Sequence, residues 1–268
     1  MQKKRFFVIG GLVAGGLLFL ALLMGVLFYN GIITFNHPSR EDYPVRGVDV
    51  ASYQGEIDWE ILSKQGIQFA FIKATEGSTF VDAYFEKNYA NAIRTDLRIG
   101  AYHFFSFDSA GSAQAENFIK TVSIYDDMLP PVVDVEFYGK YVSSPPSNVD
   151  AVKRELRILL EALEAEYGRT PIIYATHESY KRFFKNDFEK YDIWIRDIFT
   201  CPTLSDGRAW TFWQYTNRGQ LEGYQGVEKF IDINVFAGTV EEFERYGNRI
   251  YIFSCRIYGF SDVVGLTV

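Results

Sequence analysis

The chain has 268 residues and a net charge of −7, enough for one mid-sized domain with extensions. It carries neither a basic stripe nor a nucleic-acid-binding motif, which speaks against a nucleic-acid partner. Its two cysteines, Cys201 and Cys255, are unclustered, and His37, His103 and His177 show no ligand spacing. No metal site or other cofactor is expected. Aromatic residues make up 17%, a surplus that suits a carbohydrate ligand, whose ring faces stack on aromatic side chains, although much of it must be core.

Lys3, Lys4 and Arg5 precede an uncharged run of 23 residues, Phe6–Phe28. At about 1.5 Å per residue a helix of that length spans the roughly 30 Å hydrocarbon layer. A cleaved signal peptide, the alternative, calls for a shorter apolar region followed by small residues at a cleavage site. This run is longer and leads into Leu27, Phe28, Tyr29 and Asn30 with no Ala-x-Ala pattern, so an uncleaved anchor in the lipid bilayer through residues 6–28 is favoured. The cations before it, with Glu41 and Asp42 beyond it, place the N-terminus in the cytoplasm and the remainder outside. Gly11 and Gly15 are spaced as in helix dimers, but glycine is common in membrane helices and no oligomeric state follows. Residues 1–29 thus form a basic tip and anchor. Residues 30–44, broken by Pro38 and Pro44, read as a linker.

From Arg46 the pattern alternates. Strands are predicted at Arg46–Ala51, Phe69–Ala74, Ile99–Phe105, Val132–Glu136 and Pro171–Ala175. Helices are predicted after each: Asp58–Gln65, Tyr84–Thr95, Ala110–Val122, an apolar face from Val149 to Tyr167, and Glu178–Phe184. Three short strands follow, at Asp192–Ile195, Thr211–Tyr215 and Phe230–Ile233. Five strand–helix units and three strands make eight strands, which imply right-handed crossovers and close into an irregular, TIM-like α/β barrel. A doubly wound open sheet is the alternative, but no Gly-rich phosphate loop follows any strand. The barrel occupies residues 45–244. Residues 245–268 have short apolar bursts without a period: an added strand pair, a tail, or sequence from an altered reading frame. A Cys201–Cys255 disulfide is open, since spacing says nothing about geometry.

In such a barrel the working face lies at the C-terminal strand ends. Asp49, Glu76, His103, Asp134, Glu136, Tyr174, Trp194, Gln214 and Asp232 all fall at or just past those ends. The centre of the set is PPVVDVEFYG, Pro130–Gly139. Residues i and i+2 of a strand share a face, so Asp134 and Glu136 leave the backbone together, roughly 6–7 Å apart at their bases. Neighbouring carboxyls push each other's pKa values apart, so that one donates a proton while the other stays ionised; paired acids of this kind do the work of most glycoside hydrolases. The alternative is a solvated strand end, or, for Glu76, a residue of the Thr-Glu-Gly turn.

Eight segments, in order, resemble glycoside hydrolase family 25, the Chalaropsis-type lysozymes that act on peptidoglycan. They are RGVDVASYQGEIDW (Arg46–Trp59), FAFIKATEG (Phe69–Gly77), IGAYHFF (Ile99–Phe105), PPVVDVE (Pro130–Glu136), PIIYAT (Pro171–Thr176), IWIR (Ile193–Arg196), FWQYT (Phe212–Thr216) and the Asp232-Ile233-Asn234 triplet. The resemblance implies an irregular barrel of five α/β units with three terminal strands. It implies that Glu136 is the general acid, kept protonated by its neighbour, and that Asp134 stays ionised to stabilise the developing positive charge, directly or through the substrate's N-acetyl group. Asp49 and Asp232 match two further acids around this pair, and Tyr53, Tyr102, Tyr174, Trp194 and Gln214 would line the sugar groove, with Glu76 a further substrate-binding candidate. The chain departs from the family at Ile195–Phe199, IRDIF, where a Trp-x-Ala-x-Tyr sequence is usual; the groove wall near Arg196 is therefore not set by the resemblance. The implied activity is that of a membrane-anchored, extracytoplasmic N-acetylmuramidase acting on peptidoglycan glycan strands. The rivals are a tethered glycan-binding module that lost catalysis, a scaffolding barrel, and a chitinase of the other Asp-x-Glu barrel family, whose additional acids before the pair are replaced here by Pro130 and Val132.

Overall fold

The computed structural model describes residues 2–247; Cys255, nearly all of the 245–268 extension and any Cys201–Cys255 pairing lie outside them. Nine strands form: β1 (Arg46–Val50), β2 (Phe69–Glu76), β3 (Phe80–Val81), β4 (Arg98–Phe104), β5 (Val132–Val135), β6 (Ile172–Thr176), β7 (Asp192–Arg196), β8 (Phe212–Gly219) and β9 (Ile231–Phe236). β3 is a two-residue hairpin partner of β2, and the other eight close into a barrel through β1–β2 pairing. Strands β1, β2 and β4–β8 run parallel, while β9 is antiparallel to both neighbours, β8 and β1. The expected order of five strand–helix units and three strands is the observed one.

The crossover helices follow from their sequences. Trp59–Ser63 is capped by Asp58, whose carboxylate accepts from the Ile61 amide, and Val149–Tyr167 by Asn148, which accepts from Ala151. The long helix buries Val152, Leu156, Leu159, Leu160, Leu163 and Tyr167, one stripe at helical spacing. Helices Phe85–Ala92 and Gly111–Thr121 complete the second and third units. The fifth unit differs from its expected helix at Glu178–Phe184: one α turn, His177–Ser179, passes into a π turn over Tyr180–Phe184. The wider turn buries Tyr180, Phe183 and Phe184 together.

Strand alternation sorts the core into two layers. Outward residues such as Val48, Ala70, Ile72, Val133, Val135, Ile173 and Ile193 pack under the helices. Inward residues Phe69, Phe71, Val132, Ile172, Trp194, Phe212 and Phe236 fill the barrel. Phe71 stacks on Trp194 at 4.8 Å and meets Phe212 edge-on at 5.5 Å. This aromatic plug needs room, which Gly47 and Gly100 supply: a Cβ at either would overlap the rings of Phe69 or Phe71.

Helix Val240–Arg245 seals the end of the barrel where the parallel strands begin. Phe243 lies 5.4 Å from Phe69 and 5.3 Å from Phe236. Arg98, at the start of β4, donates to the carbonyls of Phe243 and Tyr246, and Arg169, just before β6, donates to that of Gly247.

The N-terminal helix runs Gln2–Tyr29, and its Ile9–Tyr29 stretch, with mean hydropathy 2.5, is long and apolar enough to cross a membrane. The following residues lie against the barrel. Buried Asn36 donates to the Asp197 carbonyl at 3.0 Å, Arg46 donates to the Pro38 carbonyl, and Tyr43 packs between Trp210 and Trp213.

Candidate active site

At the C-terminal ends of the parallel strands a cavity of about 580 Å³ opens. Asp49, Tyr53, Glu76, Tyr102, Asp134, Glu136, Tyr174, Trp194, Gln214 and Asp232 all line it. Parity explains most of this. Asp49 follows inward Gly47, Asp134 follows Val132, Tyr174 follows Ile172, Gln214 follows Phe212, and on antiparallel β9 Asp232 lies beyond Asn234 and Phe236. The paired register Asp49↔Asp232 brings those two acids side by side across β1 and β9.

Glu76 reaches the pocket by a different route. Between β2 and β4 the register passes from Lys73↔Tyr102 to Thr75↔His103, one extra residue on β2. Such a bulge reverses the facing of the residues beyond it. Thr75 therefore turns outward and Glu76 inward, where it pairs with Lys73 at 2.8 Å. His103, counted with the rim from its position in sequence, faces away from the pocket. It is fully buried beneath helix Gly111–Thr121, with Nδ1 2.7 Å from Thr75 Oγ1 and Nε2 3.0 Å from Gln114 Oε1. Burial lowers its pKa to about 4, so it is a neutral structural residue at physiological pH.

The floor is a hydrogen-bonded network. Asn234 Nδ2 donates to Asp49 Oδ1 at 2.7 Å, and Gln214 Nε2 donates to both Asp49 oxygens at 3.0 and 3.1 Å. The amides are fixed in turn, Gln214 Oε1 by the Tyr174 hydroxyl at 3.0 Å and Asn234 Oδ1 by Trp194 Nε1 at 2.8 Å. Tyr174, Trp194 and Gln214 are buried and form the base of the pocket, whereas Tyr53 is 56% exposed and stands at its mouth. Tyr102 is partly buried on the wall.

Burial raises Asp49, Asp134, Glu136 and Asp232. It pushes the Asp49 carboxyl up to about 6 against the donors Asn234 and Gln214. Asp232 is raised well above the ordinary range by burial and by the charge of Asp49, with which it shares a hydrogen bond. A charge on Asp49 thereby favours the protonated form of Asp232. Asp134 is also raised well above its ordinary value, by burial first and by Glu136 next, with Lys73 opposing. Its Oδ1 is buried without a hydrogen-bond partner among the described residues. Glu136 is raised by burial but held down by Arg196, by the adjacent Tyr174 hydroxyl and by Lys73. Both carboxyls of the pair are therefore pushed toward holding a proton, Asp134 by its depth and by the charge of Glu136, and Glu136 by its depth against the opposing charge of Arg196.

Sequence reasoning gave no role to Lys73, Phe104, Tyr138, Arg196, Asn217, Glu228 or Phe230, all of which line the pocket. Lys73 was readable, since it continues the inward alternation of Phe69 and Phe71. Arg196 likewise follows Trp194 by two. Phe104 and Tyr138 pack edge to face at 5.2 Å, and Tyr138, Asn217, Glu228 and Phe230 come from strand extensions and loops that carry no periodic signal.

Residues 48–224 match the family model described as Glycosyl hydrolases family 25. Lysozyme M1 of Streptomyces globisporus is 30% identical over 204 residues, which cover 73% of this chain and 68% of that protein. Among solved structures, a family 25 glycosyl hydrolase from Bacillus anthracis is 57% identical, with a TM-score of 0.76 over 80% of this chain and 98% of that one. The bacterial lysozyme from Streptomyces coelicolor is 29% identical, with a TM-score of 0.66 over 76% and 97%.

Proposed function

Because the chain belongs to glycosyl hydrolases family 25, we propose that its pocket hydrolyses the β-1,4 bond between N-acetylmuramic acid and N-acetylglucosamine in peptidoglycan. The chain is a glycoside hydrolase of the lysozyme type. The observation that carries the finer reading is the convergence of Asp134 and Glu136 with Asp49 and Asp232 in one cavity, where burial pushes these four toward holding a proton.

Glu136 protonates the glycosidic oxygen as the bond to the anomeric carbon breaks, so the bonding electrons leave with a neutral hydroxyl. The positive charge left on the sugar is met by Asp134, directly or through the acetamido oxygen. That division of labour requires the pair's proton to sit on Glu136 in the substrate complex. The unpartnered Asp134 Oδ1 supports this: an acetamido N–H donating to it would stabilise ionised Asp134. Asp49, with Asp232 beside it, holds Gln214 and Asn234 in place at the pocket floor. Tyr53 at the mouth offers a stacking face.

Muropeptide analysis after digestion of purified cell wall tests the bond assignment, since the sugar found at the new reducing end identifies the linkage cut. N-acetylmuramic acid is expected there; N-acetylglucosamine would refute the reading. Glu136→Gln and Asp134→Asn should each slow release by about 10²-fold or more, with the folded state intact by circular dichroism. Release by Glu136→Gln at the parent's rate would remove it from the acid's role.

The same proposal holds the protein at the cell membrane as a single-pass chain, with residues 1–5 in the cytoplasm and the barrel outside. Support comes from the apolar length of Ile9–Tyr29 and the cations before it. Retention in membranes through carbonate washing is expected; recovery from the medium with a new N-terminus near residue 30 would make the segment a signal peptide.

A further inference from the structure

The apolar helix and the pocket share a wall. Arg218, near the end of β8, donates to the carbonyl of Tyr29 at 3.0 Å, and Gln220 donates to that of Asn30 at 3.3 Å. The Arg218 guanidinium lies 5.6 Å from the Phe28 ring, 5.5 Å from that of Tyr29 and 5.0 Å from that of Phe230. Phe230 lines the pocket. Gly31 rests so closely on the other side of its ring that a Cβ there would overlap it. One aromatic side chain therefore separates the glycan site from the last turn of the helix.

Beside this junction lies an exposed apolar patch. Phe35 packs 4.9 Å from Phe28 and 5.3 Å from Phe199, yet Phe35 is 54%, Phe199 60% and Ile32 67% exposed. The patch joins the apolar helix through Phe28, whose ring meets those of Phe35 and Phe199, and aromatic side chains at the end of a membrane span settle at headgroup depth. Phe6–Phe28 fills about 35 Å along the helix axis, slightly more than the hydrocarbon layer. Tyr29 and Ile32 thus fall in the headgroup layer, which adds about 5–8 Å on each side.

We infer that the bilayer seats this patch, holding the mouth of the pocket at the membrane surface, and that the preferred substrate is glycan still attached to membrane lipid. The inference rests on the anchored muramidase reading above and goes beyond it by fixing which pole of the barrel faces the lipid. Strands polymerised at the membrane and not yet released lie within reach of a mouth so placed. Mature wall farther out reaches it less readily. Both substrates present the same bond, so the preference comes from position, as a high effective concentration.

The test uses the full chain in vesicles of phosphatidylcholine and phosphatidylglycerol. Cys201, exposed two residues beyond Phe199, carries a fluorophore in a Cys255→Ser background. In a second protein the label sits at the sealed pole, in Glu241→Cys with both native cysteines replaced by serine. Nitroxide on the lipid headgroups, confined to a layer only about 5–8 Å deep, should quench the Cys201 label by about twofold and leave the Glu241→Cys label unchanged. Equal quenching at both poles, or stronger quenching at the sealed pole, overturns the orientation.

For the substrate, lipid-linked glycan strands in the same vesicles are compared with the same strands after the lipid is removed. Reducing ends should appear about tenfold faster from the lipid-linked form. The combined variant Phe35→Ser, Phe199→Ser, Arg218→Ala lies outside the pocket. It should still float with the vesicles and turn over released strands at the parent's rate, while losing both the Cys201 quenching and the preference. A variant that keeps the preference refutes the role of the seat. A chain that does not float with vesicles refutes the anchor and this inference together. Polar quenching without reducing ends from either substrate supports the seat and refutes the activity instead.

Discussion

Asp49→Asn isolates the electrostatic cost of the pocket floor. Asp49 accepts hydrogen bonds from Asn234 and Gln214, yet burial raises its carboxyl from an ordinary 3.8 to about 6. A carboxyl raised in the folded state binds its proton more tightly there than in the unfolded chain. Its contribution to stability is therefore complete below the unfolded value and is lost as pH rises through the folded one. A rise from 3.8 to about 6 corresponds to about 3 kcal/mol in full. A small part of that is already gone at pH 4, where the unfolded carboxyl is more than half ionised, leaving about 2–3 kcal/mol to be lost between pH 4 and pH 8. Asparagine cannot ionise and loses none of it. Removing the Asp49 charge also relieves Asp232 and Asp134, both raised by it, so the difference can only grow. Urea unfolding of both proteins, lacking residues 1–29, at pH 4, 5, 6, 7 and 8 should show the parent falling by about 2–3 kcal/mol more than the variant across that range. Two curves that run parallel within about half a kcal/mol would show that Asp49 is not held near 6.

Arg196→Met removes the cation that most holds Glu136 down. Because Glu136 donates only while protonated, the alkaline limb of the pH–rate profile should move to higher pH; a limb that stays in place or moves down would free Arg196 of this role. Gly100→Ala drives a methyl into the Phe71 ring and against Leu129, and should lower stability by about 1–3 kcal/mol in thermal unfolding while the pocket residues stay in place. An unchanged Tm would show that the aromatic plug is looser than its geometry implies.

The barrel was legible because it is built from short periods. Apolar alternation located all eight of its strands; counting by two paired Asp134 with Glu136 on β5, while Asp49 and Asp232 came from their positions at strand ends and from the family resemblance. The limits were equally physical. The bulge at Ala74 shifts Glu76 inward and Thr75 outward, and nothing in FAFIKATEG marks it, because a bulge is fixed by the partner strand. His103 occupies a rim position in sequence and an outward one in space, a matter of parity on β4. The upward push on Asp134 and Glu136 depends on depth and on the cations Lys73 and Arg196 arriving from β2 and β7. Adjacency in sequence shows neither. Residues 30–44, read as a linker from their prolines, lie against the barrel through Asn36 and Tyr43, contacts made with segments more than a hundred residues away.

The two described ends of the chain leave the barrel from opposite poles. Tyr29 and Gly31 meet the rim at Arg218 and Phe230, whereas Val240–Arg245 closes the far end, with Gly247 beside Pro130 and held by Arg169. A reporter domain joined after Gly247 would therefore start about one strand length, some 17–20 Å, from the mouth. It would leave the path of glycan into the pocket unobstructed, and fluorescence energy transfer from it to dyes in the lipid would turn the barrel into a ruler for how upright the molecule stands.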